Sequence, residues 1–212
     1  MVEQQIRPWE VLDQDVLNLL FAVKREDYVP AAYRAIAFTD MEIPLGHEQV
    51  MMAPKLEARI LQEVALKSAE SVLEIGTGSG YFTALLAKCA QRVTSIEYFE
   101  DLKREAATRL AAANITNVVL LAGDAGRSAD AFIEPQEKFD VIVLTGSVPM
   151  VPQAYLQRLN MGGRFFAIVG DAPVMKATLI TKTAQNQFVS AEIFETVVSP
   201  LINAVQPSRF DF

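Results

Sequence analysis

Three glycines, Gly76, Gly78 and Gly80, are spaced Gly-x-Gly-x-Gly in the segment VLEIGTGSGYF, between a β-like run and a helical one. Glycine permits the left-handed backbone of a tight turn and lets a ligand approach without a Cβ in the way. Glu97 ends the next β-like run, and Asp124 follows the one after that, in LLAGDAG. In an open α/β sheet such strand ends gather along one edge, where nucleotide-type ligands bind. A carboxylate at Glu97 can accept hydrogen bonds from both hydroxyls of a ribose. One at Asp124 can accept from an adenine amino group, with the Ala125 amide facing a ring nitrogen. Taken singly, each feature has a plainer reading as a tight turn, a solvated strand end or a helix cap. At the ends of three consecutive strands they converge on one elongated ligand. A dinucleotide fingerprint wants Gly-x-Gly-x-x-Gly, and its third glycine falls on Tyr81, which argues against a pyrophosphate. The pattern suits a ligand with an amino-acid end and a nucleoside end, as S-adenosylmethionine has.

Composition bounds the rest. The 212 residues, 51% hydrophobic and 21% charged, describe an ordinary globular chain about the size of one large domain. With 19 basic against 26 acidic residues and a net charge of −7, no phosphate-tracking surface is expected and nucleic acid is not an expected partner. The only cysteine, Cys89, has no intramolecular disulfide partner, and with His47 the only histidine no zinc-type metal site is expected. Cys89 reads as packed apolar surface. The N-terminus MVEQQIRPWEVLDQD lacks the apolar core of a signal peptide, and no run approaches the ~18 apolar residues of a membrane span. A cytoplasmic protein without membrane contact, monomeric or weakly dimeric, is the expectation.

The elements that must hold these residues follow from periodicity. Asp13 is placed to cap a helix whose buried face carries Val16, Leu17, Leu20, Phe21 and Val23. The stretch LGHEQVMMAP reads as a structured loop. Pro54 then opens a helix with Leu56, Ile60, Leu61 and Val64 on its apolar stripe. After Ser71 the texture becomes that of a doubly wound α/β sheet, with near-continuously apolar runs SVLEIG, RVTSIE, NVVLLA, FDVIVLT and RFFAIVG. Helices are expected at Tyr81 to Ala90, around Leu102, Ala106 and Leu110, and at Pro152 to Leu159. ATLITKT and FVSAEIFETVV, joined by AQNQ, read as a closing antiparallel hairpin. Trp9 and Tyr28 are assigned to anchoring the N-terminal helices.

VLEIGTGSGY, SIEY, the Gly123–Asp124 pair and LNMGGR resemble the class I S-adenosylmethionine methyltransferases. KREDYVP, AFTD, IPLGHEQ, TGSVPMVP and VVSPLI, in that order, are similar to segments of the protein-L-isoaspartate O-methyltransferase family in particular. The resemblance covers nearly the whole chain. It implies one methyltransferase domain, 1–212, with an N-terminal helical cap and substrate loop (1–70) before an S-adenosylmethionine-binding Rossmann-like core (71–212). That core is a doubly wound, mostly parallel, seven-stranded sheet ending in an antiparallel hairpin. It further implies esterification of the free α-carboxylate of isoaspartyl residues in damaged proteins or peptides, with S-adenosylhomocysteine as product. Glu74, Gly76, Thr77, Gly78, Ser79, Glu97, Tyr98, Asp124, Ala125 and Thr145 match cofactor positions, as do Val50 and Met51 in the loop over the methionine end. His47, Met52, Thr145 and Leu201 fall on the substrate side, where His47 reads either as a substrate contact or as a surface hydrogen-bonding group. The family's Ile-Ser-x-Pro, whose serine hydroxyl helps hold the substrate carboxylate, is here Met51-Met52-Ala53-Pro54. A thioether cannot donate a hydrogen bond. Glu48 replaces a glycine usual in this loop, bringing a like charge toward a carboxylate substrate. The catalytic residue is therefore left open, and so are a different, small-molecule acceptor and a silent S-adenosylmethionine-binding or partner-binding module.

Overall fold

The computed structural model describes residues 1–207. Asp13 caps helix α1 (Gln14–Ala22), its Oδ1 accepting from the Asp15 and Val16 amides at 2.8 and 3.2 Å. Val16, Leu17, Leu20 and Val23 are buried as the period requires, but Phe21 is 69% exposed. Its position on the helix turns it away from the stripe that the other four share.

The segment expected to be a loop is a small β-hairpin, β1 (Ile43–Gly46) against β2 (Gln49–Met51), with His47 and Glu48 both in the left-handed region at its tip. Consecutive left-handed residues make the turn whose twist matches antiparallel strands. Helix α2 (Pro54–Val64) follows with Pro54 in its first turn and Leu56, Ile60, Leu61 and Val64 buried.

Then comes the alternation: β3 (Ser71–Ile75), α3 (Tyr81–Cys89), β4 (Arg92–Glu97), α4 (Glu100–Ala112), β5 (Val118–Ala122), β6 (Phe139–Val148), α5 (Gln153–Gln157) and β7 (Leu159–Asp171). β8 (Val174–Ala184) and β9 (Gln187–Glu195) form the closing hairpin. The sheet is seven-stranded, in the order β5-β4-β3-β6-β7-β8-β9, with β3 to β7 parallel and β8 and β9 antiparallel. Alternate residues feed opposite faces. Val72, Val141, Val143 and Phe166 join the core beneath α1, α2 and α3. Leu73, Ile142, Leu144 and Phe165 join a second core with Tyr155 and Leu156 of α5.

The N-terminal segment is fastened to the sheet by a buried charge. Arg25, 1% exposed, donates through Nε to the Ala37 carbonyl at 2.9 Å and through a terminal nitrogen to the Met52 carbonyl at 2.6 Å. Its other terminal nitrogen pairs with Glu57 of α2, also 1% exposed, and the guanidinium lies 5.0 Å from the centroid of the Tyr81 ring. Tyr28 packs against the same ring, with centroids 5.5 Å apart. Trp9 meets Phe194 of β9 edge-on at 5.3 Å.

Removing one member of a buried pair strands the other charge, a loss of about 3–5 kcal/mol, whereas replacing both with apolar groups of similar volume is far milder. Arg25→Met is therefore expected to cost about 3–5 kcal/mol, and Arg25→Met with Glu57→Leu substantially less. Urea unfolding of the two variants beside the parent checks the order.

Candidate active site

From β3 the chain steps to β4 and β5 on one side of the sheet and from β6 to β7 on the other, so the connections leaving β3 and β6 diverge and open a crevice at the carboxyl edge. The cleft encloses about 930 Å³, its open mouth included.

The floor is the glycine turn. Gly76 has φ +97°, and a Cβ there would collide with Thr145 Oγ1 on the neighbouring strand β6. Thr145 Oγ1 lies 2.7 Å from the Gly76 carbonyl oxygen and 2.9 Å from that of Ile75, so its hydroxyl donates into the turn. Gly80, at φ +83°, leads into α3 against Ala106 of α4, where a Cβ would sit 3.0 Å from the alanine methyl. Tyr81, where a dinucleotide site would carry glycine, is fully buried. The run FDVIVLT ends at Thr145, but β6 continues to Val148 because Ser147 and Val148 still pair with Ile168 and Val169 of β7; Ser147 also bridges to the late segment, its amide donating to the Ser199 carbonyl at 3.0 Å and its carbonyl accepting from Leu201 at 2.9 Å. This pairing swings Val198–Ile202 over the cleft.

The acids at the strand ends are held differently. Glu97 is 5% exposed and accepts from the Gly78 amide at 2.8 Å and the Phe99 amide at 3.0 Å. Asp124 is exposed and accepts from the Gly126 amide at 3.2 Å and the Asn203 side chain at 2.7 Å. Val50, Met51, Met52, Gly76, Thr77, Gly78, Ser79, Glu97, Tyr98, Asp124, Ala125, Thr145 and Leu201 all line the cleft, so eleven of the expected cofactor positions and three of the substrate positions, Thr145 counted in both, share one cavity.

Glu74 does not line it. It lies beneath the glycine turn, fully buried, one carboxylate oxygen accepting from the hydroxyls of Thr83 at 2.5 Å and Ser95 at 2.6 Å. Ser95 in turn meets Thr77 Oγ1 at 2.6 Å. Glu74 thus braces the turn through a chain of hydroxyls. Burial pushes its carboxyl up to about 8, against the pull of those two hydrogen bonds.

His47 is also absent from the lining. Its ring stacks on Phe99 with centroids 4.1 Å apart, and Nε2 lies 2.7 Å from Asp101 Oδ2, which latches the hairpin tip onto the start of α4. Glu48, beside it, is exposed at the tip and does not line the cleft, so the like charge expected there from sequence is not in its wall. Glu42, just ahead of β1, does line the cleft. Glu42, Leu45, Phe99, Glu57 and the Asn203 contact to Asp124 were not found from sequence. Glu57 carries the one usable signal, a charge at a position where α2 is otherwise buried.

The charged side chains lining the cleft are Glu42, Glu57, Glu97 and Asp124, with no lysine, arginine or histidine among the lining residues. Among the lining side chains a pyrophosphate would find no counter-charge, whereas a sulfonium is a cation. The charge of the lining therefore suits S-adenosylmethionine better than a dinucleotide. Among the described residues no group of His, Cys, Asp or Glu is placed to hold a metal ion, and no helix is long and apolar enough to cross a membrane.

The protein-L-isoaspartate(D-aspartate) O-methyltransferase family model matches residues 1–206. Protein-L-isoaspartate O-methyltransferase 1 of Rhodopseudomonas palustris (strain HaA2) is 36% identical over 203 residues, covering 95% of this chain and 81% of its own. The protein-L-isoaspartate O-methyltransferase of Methanoculleus marisnigri is 36% identical over 170 residues, covering 80% and 76%. A Plasmodium falciparum beta-aspartate methyltransferase, solved in complex with S-adenosyl-L-homocysteine, has the same fold, with a TM-score of 0.80, 20% identity and coverage of 92% and 94%.

A buried carboxyl raised from 4.5 unfolded to about 8 folded adds stability that is complete below about 4.5 and is lost as the pH rises through 8. Glu74→Gln is expected to flatten that fall, which for one proton is at most about 1.4 kcal/mol per pH unit. Urea unfolding of parent and variant at pH 5.5 and 8 checks the difference in slope.

Proposed function

The chain belongs to the protein-L-isoaspartate(D-aspartate) O-methyltransferase family and is an S-adenosylmethionine-dependent methyltransferase; on that premise we propose that its cleft methylates the free α-carboxylate of isoaspartyl residues in damaged proteins or peptides. The observation that carries this reading is the single cleft, charged only by acids, that brings the glycine turn, Glu97, Asp124 and the Met51–Met52 segment together.

In this reading S-adenosylmethionine supplies the methyl group from its sulfonium and leaves as S-adenosylhomocysteine. Glu97 holds the ribose hydroxyls, with its carboxylate already oriented by the Gly78 and Phe99 amides. Asp124 and the Ala125 amide hold the adenine edge, while Gly76, Thr77, Gly78 and Ser79 cradle the amino-acid end. Tyr98 borders the nucleoside, and Val50 and Met51 close over the methionine end. Thr145 fixes the turn against β6 and, with Met52 and Leu201, bounds the acceptor side.

No general base is required, because an α-carboxylate with a pKa of about 3.5 is ionised at neutral pH. What the chain must do is align one acceptor oxygen with the methyl and exclude water. Met52 contributes bulk and dryness but no hydrogen bond to the carboxylate. Its backbone stays anchored, since its carbonyl accepts from Arg25. The altered side chain is also the observation that favours a second reading, transfer to a different acceptor through the same cleft.

Labelled methyl transfer to an isoaspartyl peptide, beside its normal aspartyl twin and read as base-released methanol, tests the proposal. Selective labelling of the isoaspartyl peptide is expected. Binding of S-adenosylhomocysteine without labelling of either peptide would sink it. Restoring the hydroxyl with Met52→Ser is expected to raise kcat/KM for the isoaspartyl peptide about ten- to hundredfold, as one hydrogen bond to a charged oxygen is worth ~1.5–3 kcal/mol. An unchanged kcat/KM in that variant favours the different acceptor.

A further inference from the structure

Three of the four acids lining the cleft are already satisfied: Glu57 by Arg25, Glu97 by two backbone amides, and Asp124 by Asn203 and the Gly126 amide. Glu42 is the exception. It is half-buried against the cleft, and among the described residues it has no ion pair and no side-chain hydrogen bond. Burial alone holds its carboxyl above the usual range, with no cation pulling the other way. Lys55, in the first turn of α2, is already engaged by Asp40 at 2.7 Å.

The hairpin register sets where Glu42 acts. Ile43 pairs with Met51 and Pro44 with Val50, so the next antiparallel step places Glu42 across from Met52. Glu42 thus stands beside the segment that bounds the acceptor, with the exposed apolar side chains of Phe38 and Met41 just before it. A half-buried carboxylate without a partner is costly, and a cation from the substrate removes that cost. Neighbouring residues of an extended peptide are about 3.3–3.6 Å apart, well within reach of a lysine or arginine side chain.

We infer that Glu42 is a specificity determinant that selects isoaspartyl peptides carrying a lysine or arginine next to the damaged residue. The inference rests on the isoaspartyl reading of the cleft and names its substrate class more narrowly. Two features of this chain support the division of labour. Met52 withdraws a hydroxyl from the acceptor carboxylate, and Glu42 offers a charge to the residue beside it, so peptide affinity moves from the reacting group to its neighbour.

The test uses three isoaspartyl peptides of one sequence, differing only in whether the flanking residue is Lys, Gln or Glu. Methyl transfer (kcat/KM) and peptide binding in the presence of S-adenosylhomocysteine are measured for the parent, Glu42→Gln and Glu42→Lys, at low and high salt. The parent is expected to favour the Lys peptide over the Glu peptide by about tenfold or more, as for one charge-assisted contact, and less so at high salt. Glu42→Gln should bring the ratio to within about twofold and Glu42→Lys should reverse it, with affinity for S-adenosylhomocysteine unchanged. Equal use of the three peptides by the parent, or a preference that persists in Glu42→Gln, overturns the inference while leaving isoaspartyl methylation intact. So does an effect of Glu42→Gln confined to S-adenosylmethionine over S-adenosylhomocysteine, which would assign the charge to the sulfonium. No labelling of any peptide, with S-adenosylhomocysteine bound, overturns the isoaspartyl reading and this inference with it.

Discussion

A guanidinium removed from water must find every partner inside the protein, and Arg25 does so by drawing four separate segments to one point. Its contacts are the Ala37 carbonyl, the Met52 carbonyl, the Glu57 carboxylate and the Tyr81 ring. Those groups belong to the N-terminal segment, the acceptor loop, α2 and the helix that leaves the glycine turn. The position of the acceptor loop over the cofactor edge is therefore set by charge satisfaction. The identity of the side chain at position 52 hardly enters, because Arg25 holds the backbone oxygen. A change of side chain at position 52 can therefore leave the loop in place, since the contact that holds it is to the backbone.

The glycine turn is braced from below by a comparable device built of neutral groups. Thr145 donates into it from β6, and Thr77, Ser95, Glu74 and Thr83 form a continuous run of hydrogen bonds under it. Ionising a carboxyl in that run is opposed by burial, and the hydroxyls only partly compensate. The turn thus presents amides and small residues to the cleft while its acidic support stays behind it, out of reach of ligand.

The α/β core was legible because its signals are local. Apolar runs of strand length alternate with amphipathic stretches, and each strand–helix pair is fixed by neighbours in sequence. What escaped the sequence depends on juxtaposition at long range. The 43–51 hairpin has two very short strands, one interrupted by Pro44, too short for any alternation to register. Phe21 lies one turn beyond Leu17 at the margin of the helical stripe, a place that its apolar character alone does not reveal as exposed. Arg25 and Glu57 are 32 residues apart and His47 and Asp101 are 54 apart, so no spacing rule could assign those side chains to each other. The family resemblance put Glu74 in one pocket with Glu97. Yet Glu74 points from mid-strand into the packed interior beneath the turn, whereas Glu97 stands at a strand end where the edge opens.

The distribution of charge along the cleft bears on the chemistry itself. Methyl transfer from a sulfonium to a carboxylate converts two opposite charges into a neutral thioether and a neutral ester. A transition state that is losing charge is favoured where the surroundings do not solvate the separated ions, so water and unpaired carboxylates near the methyl would slow the step. In the proposed binding mode the acids have separate roles. Glu97 and Asp124 serve the nucleoside, Glu42 stands on the acceptor hairpin, and Glu57 is neutralised by Arg25. The lining also includes Leu45, Val50, Met51, Met52, Ile75 and Leu201. In this binding mode a cleft whose charged lining is all acidic attracts the cationic donor, and the apolar groups around the acceptor leave little to solvate its charge where the methyl moves. The neutral product S-adenosylhomocysteine no longer gains from the acids that drew the donor in, which favours exchange for the next one. In the proposed reading Met52 offers the acceptor no hydrogen bond but adds to the apolar lining, so the loss of alignment and the gain in charge collapse act in opposite directions at the same residue.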